Sequence, residues 1–114
     1  MSEENIKVEA SVERELTLEE KVKNLSHYDG ICLEDTIPFM KSEDYRERFI
    51  AEYMQTKIRY NHLHEMIVKL DAKKLDFEPK CDRLTLVNQK SFMGQYLNQL
   101  EIRAQIEDIP LPRI

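Results

Sequence analysis

Tyr53-Met-Gln-Thr56-Lys-Ile-Arg-Tyr60-Asn-His-Leu63-His-Glu-Met-Ile67-Val-Lys-Leu70 is the stretch whose periodicity decides the fold. Tyr53, Thr56, Tyr60, Leu63, Ile67 and Leu70 step by 3, 4, 3, 4 and 3, the spacing of a coiled-coil seam along one side of a helix. Tyr45 and Phe49 extend the stripe upstream, and a second, broken stripe of Ile50, Met54, Ile58 and Met66 runs beside it. Ser42-Glu43-Asp44 supplies a capping hydroxyl and two acids at the positive end of the helix dipole. The spacing therefore predicts a helix from about Glu43 to Asp71, about 43 Å long at 1.5 Å per residue.

Leu75-Asp-Phe-Glu-Pro79 ends this helix, because Pro79 pushes Glu78 out of helical geometry. Cys81-Asp82 restarts one, with Asp82 expected in its first turn. Leu86, Met93, Leu97, Leu100 and Ala104 form its stripe, and Pro110 and Pro112 end it. Two long helices joined by about ten residues make an antiparallel hairpin.

Upstream, Thr17-Leu-Glu-Glu20 fits a capping box, and Leu18, Val22 and Leu25 share one face of a short helix ending near Asn24 or Ser26. That helix is too short to hold alone and must dock. Residues 26–42 read as an apolar connector packed along a helix, with a turn at Tyr28-Asp29-Gly30. Thr36, Ile37 and Pro38 are expected to be extended, since a residue before proline avoids the helical region. The division is an acidic tail over 1–15, a short helix and connector over 16–42, the hairpin domain over 43–108 and an extended tail over 109–114. The fold class is all-α. A hairpin has wider apolar faces than one seam covers, so assembly into an oligomeric helical bundle is expected. The expected oligomer seam is Tyr53, Tyr60, Leu63, Ile67, Leu70, Leu86, Met93, Leu97 and Leu100.

Composition narrows the function classes. The 114 residues suffice for one domain, and two glycines and no tryptophan leave few breaks in long helices. Residues 1–42 hold ten acids and five bases, so the whole net charge of -5 sits there, while residues 43–114 are neutral. That balance argues against nucleic acid, which wants a basic stripe. Cys32 and Cys81 stand alone, without paired spacing, and read as reduced thiols. Met1-Ser-Glu-Glu-Asn lacks the features of a secretory signal, and no apolar run reaches the ~20 residues of a membrane span. The expectation is a soluble cytoplasmic protein, with no membrane partner.

Chemistry is sparse. His62 and His64 lie two apart, which on a helix sends them about 200° from each other, so they do not face one metal ion. No catalytic constellation, metal site or cofactor is expected, and with two glycines a phosphate-cradling loop is absent. Gly94 lies inside the second long helix, where it costs stability, which a close helix crossing, or else a ligand pressed against the backbone, would explain. Arg46, Arg48, Arg59 and Arg103 with Tyr96 are the candidate anion or nucleotide contacts, in a wider set with Lys57, Tyr45, Tyr53 and Tyr60. The competing reading makes the tyrosines seam residues and the cations their solvated flanks.

One longer pattern stands out: Tyr45-x-Glu47-Arg48-Phe49-x-x-Glu52-Tyr53, then Leu75-x-Phe77-x-Pro79-x-Cys81, then Gln89-x-x-x-Met93-x-x-Tyr96-Leu97-x-x-Leu100-Glu101-x-Arg103-Ala104-x-Ile106-Glu107. Over residues 44–107 it resembles a family of small uncharacterised proteins of phages and prophages of gut bacteria, related to a crAss-like phage protein. Asp82 departs from it, since the family tends to have proline there. The resemblance carries no residue roles but implies a phage accessory protein that acts by binding. The leading expectation is a non-enzymatic antagonist that binds and inhibits a host-defence protein. The alternatives are an oligomeric sponge for a signalling nucleotide and a structural or adaptor protein of the phage.

Overall fold

In a computed structural model, residues 16–25 and 31–114 are described. The acidic tail over 1–15 and the turn at Tyr28-Asp29-Gly30 lie outside the described residues. The described residues form four α-helices, α1 (Leu18–Leu25), α2 (Ile37–Met40), α3 (Tyr45–Asp71) and α4 (Arg83–Glu107), with a 3-10 turn at Leu33–Thr36 before α2. No strand occurs among the described residues. α3 and α4 form the antiparallel hairpin.

α3 starts where Asp44, not Ser42, caps it. The Asp44 carboxylate accepts from the Arg46 backbone N–H at 2.9 Å, while Ser42 Oγ accepts from the Asp44 N–H at 3.0 Å. The hydroxyl thus orders the capping residue. Asp82 likewise stands outside α4 as its cap, accepting from the Thr85 N–H at 3.0 Å. A carboxylate cap holds two fixed dipoles, and the caps' own pKa values fall accordingly. The Arg46 side chain and backbone hold the Asp44 carboxyl below its ordinary value, and the Thr85 hydroxyl and backbone N–H do so for Asp82.

Both long helices end on a non-glycine residue in the left-handed region, Lys73 at φ 59° and Asp108 at φ 54°. Lys73 and Lys74 N–H groups reach back to Leu70 and Lys69 carbonyls at 3.1 and 2.8 Å, a Schellman ending. Ile109 N–H reaches Ala104 O at 2.9 Å in the same way.

The seam is intramolecular. Phe49, Tyr53, Ile67, Leu86, Leu97, Leu100 and Ala104 are buried between α3 and α4. The opposite side of α3, where Ile50 and Met54 are 0% exposed, is covered by shorter pieces. α1 lays Leu18, Val22 and Leu25 on it, and α2 adds Phe39. The capping box of α1 forms as the sequence requires, with Thr17 N–H to Glu20 Oε1 at 2.9 Å and Glu20 N–H to Thr17 Oγ1 at 3.2 Å. Lys21 then pins α1 to α3 through Glu47 at 2.9 Å.

The connector departs from expectation at Pro38. Ile37 is helical, at φ -60° and ψ -49°, and Pro38 sits in the first turn of α2. A first-turn N–H has no partner inside the helix, so its loss costs nothing there. Thr36, 1% exposed, donates its hydroxyl to Leu33 O at 2.7 Å and accepts from Gln55 Nε2 at 3.0 Å. The last six residues also pack: Ile109 is 4% exposed, and Leu111 and Ile114 lie against the core.

Candidate functional site

The residues read from sequence as an oligomer seam face the chain's own other helix. Tyr53, Ile67, Leu86, Leu97 and Leu100 are buried there, and Tyr60, Leu63, Leu70 and Met93 are half-buried. The five candidate anion contacts are not gathered. Arg46 and Arg48, two apart on α3, leave the helix about 200° from each other, and Arg59 lies about 17 Å further along. Arg46 pairs with Asp44 at 2.9 Å, and Arg48 Nη1 donates to Ser42 O at 2.8 Å. Arg103 pairs with Glu107 at 2.8 Å and stacks 4.6 Å from the Phe49 ring centroid. Arg59 and Tyr96 are exposed. Tyr45 donates to the same Glu107 at 3.1 Å, closing the open end of the hairpin.

A different group of cations is brought together midway along the hairpin. Lys57 Nζ and Lys90 Nζ lie 5.6 and 5.7 Å from the centroid of the Tyr60 ring, one reaching from each helix. A ring quadrupole attracts such ammoniums. Lys90 Nζ also sits 2.7 Å from His64 Nδ1, with the ammonium donating and the ring nitrogen accepting. Among the described residues, the ion pairs of this protein are Lys21–Glu47, Arg46–Asp44, Arg83–Asp71 and Arg103–Glu107, so neither lysine is held by a carboxylate.

Gly94 shapes the floor. A Cβ there would stand 3.4 Å from Tyr60 Cε2, an ordinary van der Waals contact, so α4 runs against the ring with room for little more than a methyl group. Beside it Tyr60, Val87, Lys90, Ser91, Gly94, Gln95 and Asn98 line an open groove of about 450 Å³. An aromatic face, the Lys90 ammonium and several neutral donors line it, with the Lys57 ammonium beside the same ring, and such a set suits a planar anion. Lys57 and Tyr60 belong to the wider set visible in sequence. Lys90 and His64 do not, because their approach depends on the register of one helix against the other. The signal that could have found Lys90 is its isolation: between Leu84 and Ile106 the charged residues are Lys90, Glu101 and Arg103 alone.

The remaining sequence candidates are scattered. Cys81 is exposed, with Asp82 doing the capping. The Cys32 thiol is exposed as well, and the carboxylates of Glu34 and then Asp35 hold it above its ordinary value, which keeps it protonated and a poor nucleophile. His62 borders a separate groove with Ile58, Asn61, Glu65, Arg113 and Ile114. Among the described residues no group of three His, Cys, Asp or Glu side chains is placed to hold a metal ion. Nor is any helix among them long and apolar enough to cross a membrane.

A family model described as Sequestin matches residues 43–106, the two long helices and the link between them. No curated protein and no solved structure matches the chain.

Proposed function

The chain belongs to the Sequestin family, and from that premise we propose that it works by sequestration, holding a phosphate-bearing nucleotide in the Tyr60 groove without transforming it. The family name speaks of binding. The observation that supports a nucleotide is the pair of ammoniums, Lys57 and Lys90, drawn to one aromatic ring with no carboxylate on either among the described residues. A base stacks on the exposed part of the Tyr60 ring, and phosphate oxygens meet the lysines. Ser91, Gln95 and Asn98 supply neutral hydrogen bonds along the groove wall. Nothing in the mechanism needs an acid, a base or a nucleophile. The work is stoichiometric capture, which lowers the free concentration of the ligand.

The test is a thermal-shift and calorimetry series against linear and cyclic nucleotides. A ligand at 100 times its Kd stabilises the folded state by about 2.7 kcal/mol. The expected result is a shift with at least one nucleotide, lost in Lys57→Ala and Lys90→Ala, with the ligand recovered unchanged on denaturation. No shift with any nucleotide, or recovery of a product, would overturn the reading.

A second reading rests on charge. The entire net charge of -5 lies in residues 1–42, which suits a basic protein surface and the antagonism of a host-defence protein that the phage resemblance implies. Such binding weakens steeply with salt. Capture of a protein partner that survives 0.5 M salt undiminished would count against it.

A further inference from the structure

The outer face of α4 is uncharged along its whole length. Leu84, Asn88, Phe92, Gln95, Gln99, Ile102 and Ile106 step by 4, 4, 3, 4, 3 and 4, a second coiled-coil stripe opposite the one that packs on α3. Leu84 is 66% exposed, Phe92 68% and Ile106 74%, and Ile102 and the three amides also face solvent. In a chain with 34% charged residues, this helix has three charges between Leu84 and Ile106. Each is drawn to a flank by a contact. Lys90 goes to His64 and Tyr60, Glu101 accepts from Tyr53, and Arg103 goes to Glu107. The face left between them is apolar and amide only.

From this pattern we infer that a second copy of the chain docks here, α4 against α4, antiparallel, about a two-fold axis at Gln95. The stripe is nearly its own mirror about that residue. Leu84 of one copy falls opposite Ile106 of the other, Asn88 opposite Ile102, Phe92 beside Gln99, and Gln95 opposite itself. A two-fold interface requires such self-complementarity, because each contact between two positions occurs twice. An uncharged stripe meets itself without like-charge repulsion, whereas a charged partner would lose solvation here and gain no counter-charge. Gln95 at the axis pairs amide with amide.

Area supports a stable pair. The exposed large apolar residues of this face present roughly 500 Å² of surface, in the upper part of the ~300–600 Å² of a monomer's largest apolar patch. With the amides the face approaches the ~800 Å² per partner of a standard interface. A two-fold axis relating two antiparallel helices side by side runs perpendicular to the plane that holds them. Both Tyr60 grooves therefore open on the same side of the dimer, walled in part by Gln95 from each copy. The dimer itself does not rest on the nucleotide reading, since its test uses no ligand.

Sedimentation of the full chain at roughly 50 µM, where a micromolar interface is largely formed, is expected to give a dimer. Phe92→Glu and Ile102→Glu are expected to give a monomer with unchanged helicity, as both side chains lie off the hairpin core. Orientation is read by cysteine pairing with Cys32→Ser and Cys81→Ser as background. Leu84→Cys mixed with Ile106→Cys should form a disulfide-linked heterodimer under mild oxidation, and Leu84→Cys alone should not pair. A wild-type monomer, or a dimer that survives both glutamate variants, would overturn the inference. Self-pairing of Leu84→Cys would overturn the antiparallel arrangement.

Discussion

The Tyr53 hydroxyl, on α3, donates to Glu101 Oε2 on α4 at 2.8 Å, with Tyr53 itself only 5% exposed. It is a polar tie set inside an apolar seam, and it fixes the register of one helix on the other. Burial first, and the Glu101 carboxylate second, raise the Tyr53 phenol far above its ordinary value. A raised pKa of this kind contributes stability that is fully present below the unfolded value of about 10 and lost as pH rises towards the folded one. The expected outcome is a melting temperature that holds to about pH 10 and then falls. Tyr53→Phe should flatten that fall, at a cost of about 1 kcal/mol near neutrality from the lost hydrogen bond. Thermal unfolding across pH 7 to 11 checks both.

Gly94 is a helix interior glycine whose missing Cβ faces Tyr60 at 3.4 Å, a distance of van der Waals contact. Alanine gains about 1 kcal/mol of helix propensity and needs at most a slight tilt of the ring. Gly94→Ala is expected to raise the melting temperature by several degrees. Gly94→Val, with two more carbons against the same ring, is expected to lower it. A loss of stability with alanine would show that the ring cannot give way.

Lys73 and Asp108 end the two long helices in the left-handed region, at φ 59° and 54°. A side chain there costs roughly 1 kcal/mol that glycine does not. Lys73→Gly is expected to stabilise by up to about 1 kcal/mol, less what glycine loses in the unfolded chain. Asp108→Gly is expected to act alike, and denaturant midpoints at unchanged slope would report it.

Ile50 and Met54, both fully buried, depend on α1 and α2 for their cover. A chain beginning at Leu16 should keep its helicity and its melting temperature. One beginning at Lys41 bares both side chains and should lose helicity by circular dichroism or aggregate. An unchanged melting temperature after removal to Lys41 would show that α3 and α4 suffice alone.

The sequence by itself determined the hairpin, because its signals are local. A 3–4 spacing from Tyr53 to Leu70, the proline at 79 and the acids at Asp44 and Asp82 each act on backbone within a few residues. The Thr17–Glu20 capping box is legible for the same reason. Helix ends were less so, since Lys73 and Asp108 take a conformation that composition usually reserves for glycine. What only the tertiary structure decided is how the apolar stripes were assigned. The stripe of α3 met that of α4 inside one chain, the back of α3 took α1, α2 and the residues around Ile109, and the face from Leu84 to Ile106 was left bare. Lys57 and Lys90, thirty-three positions apart, converge on Tyr60 by that same packing. Periodicity says which residues share a side of a helix. Which partner covers that side depends on long-range contacts whose loop-closure entropy and packing no short window of sequence contains.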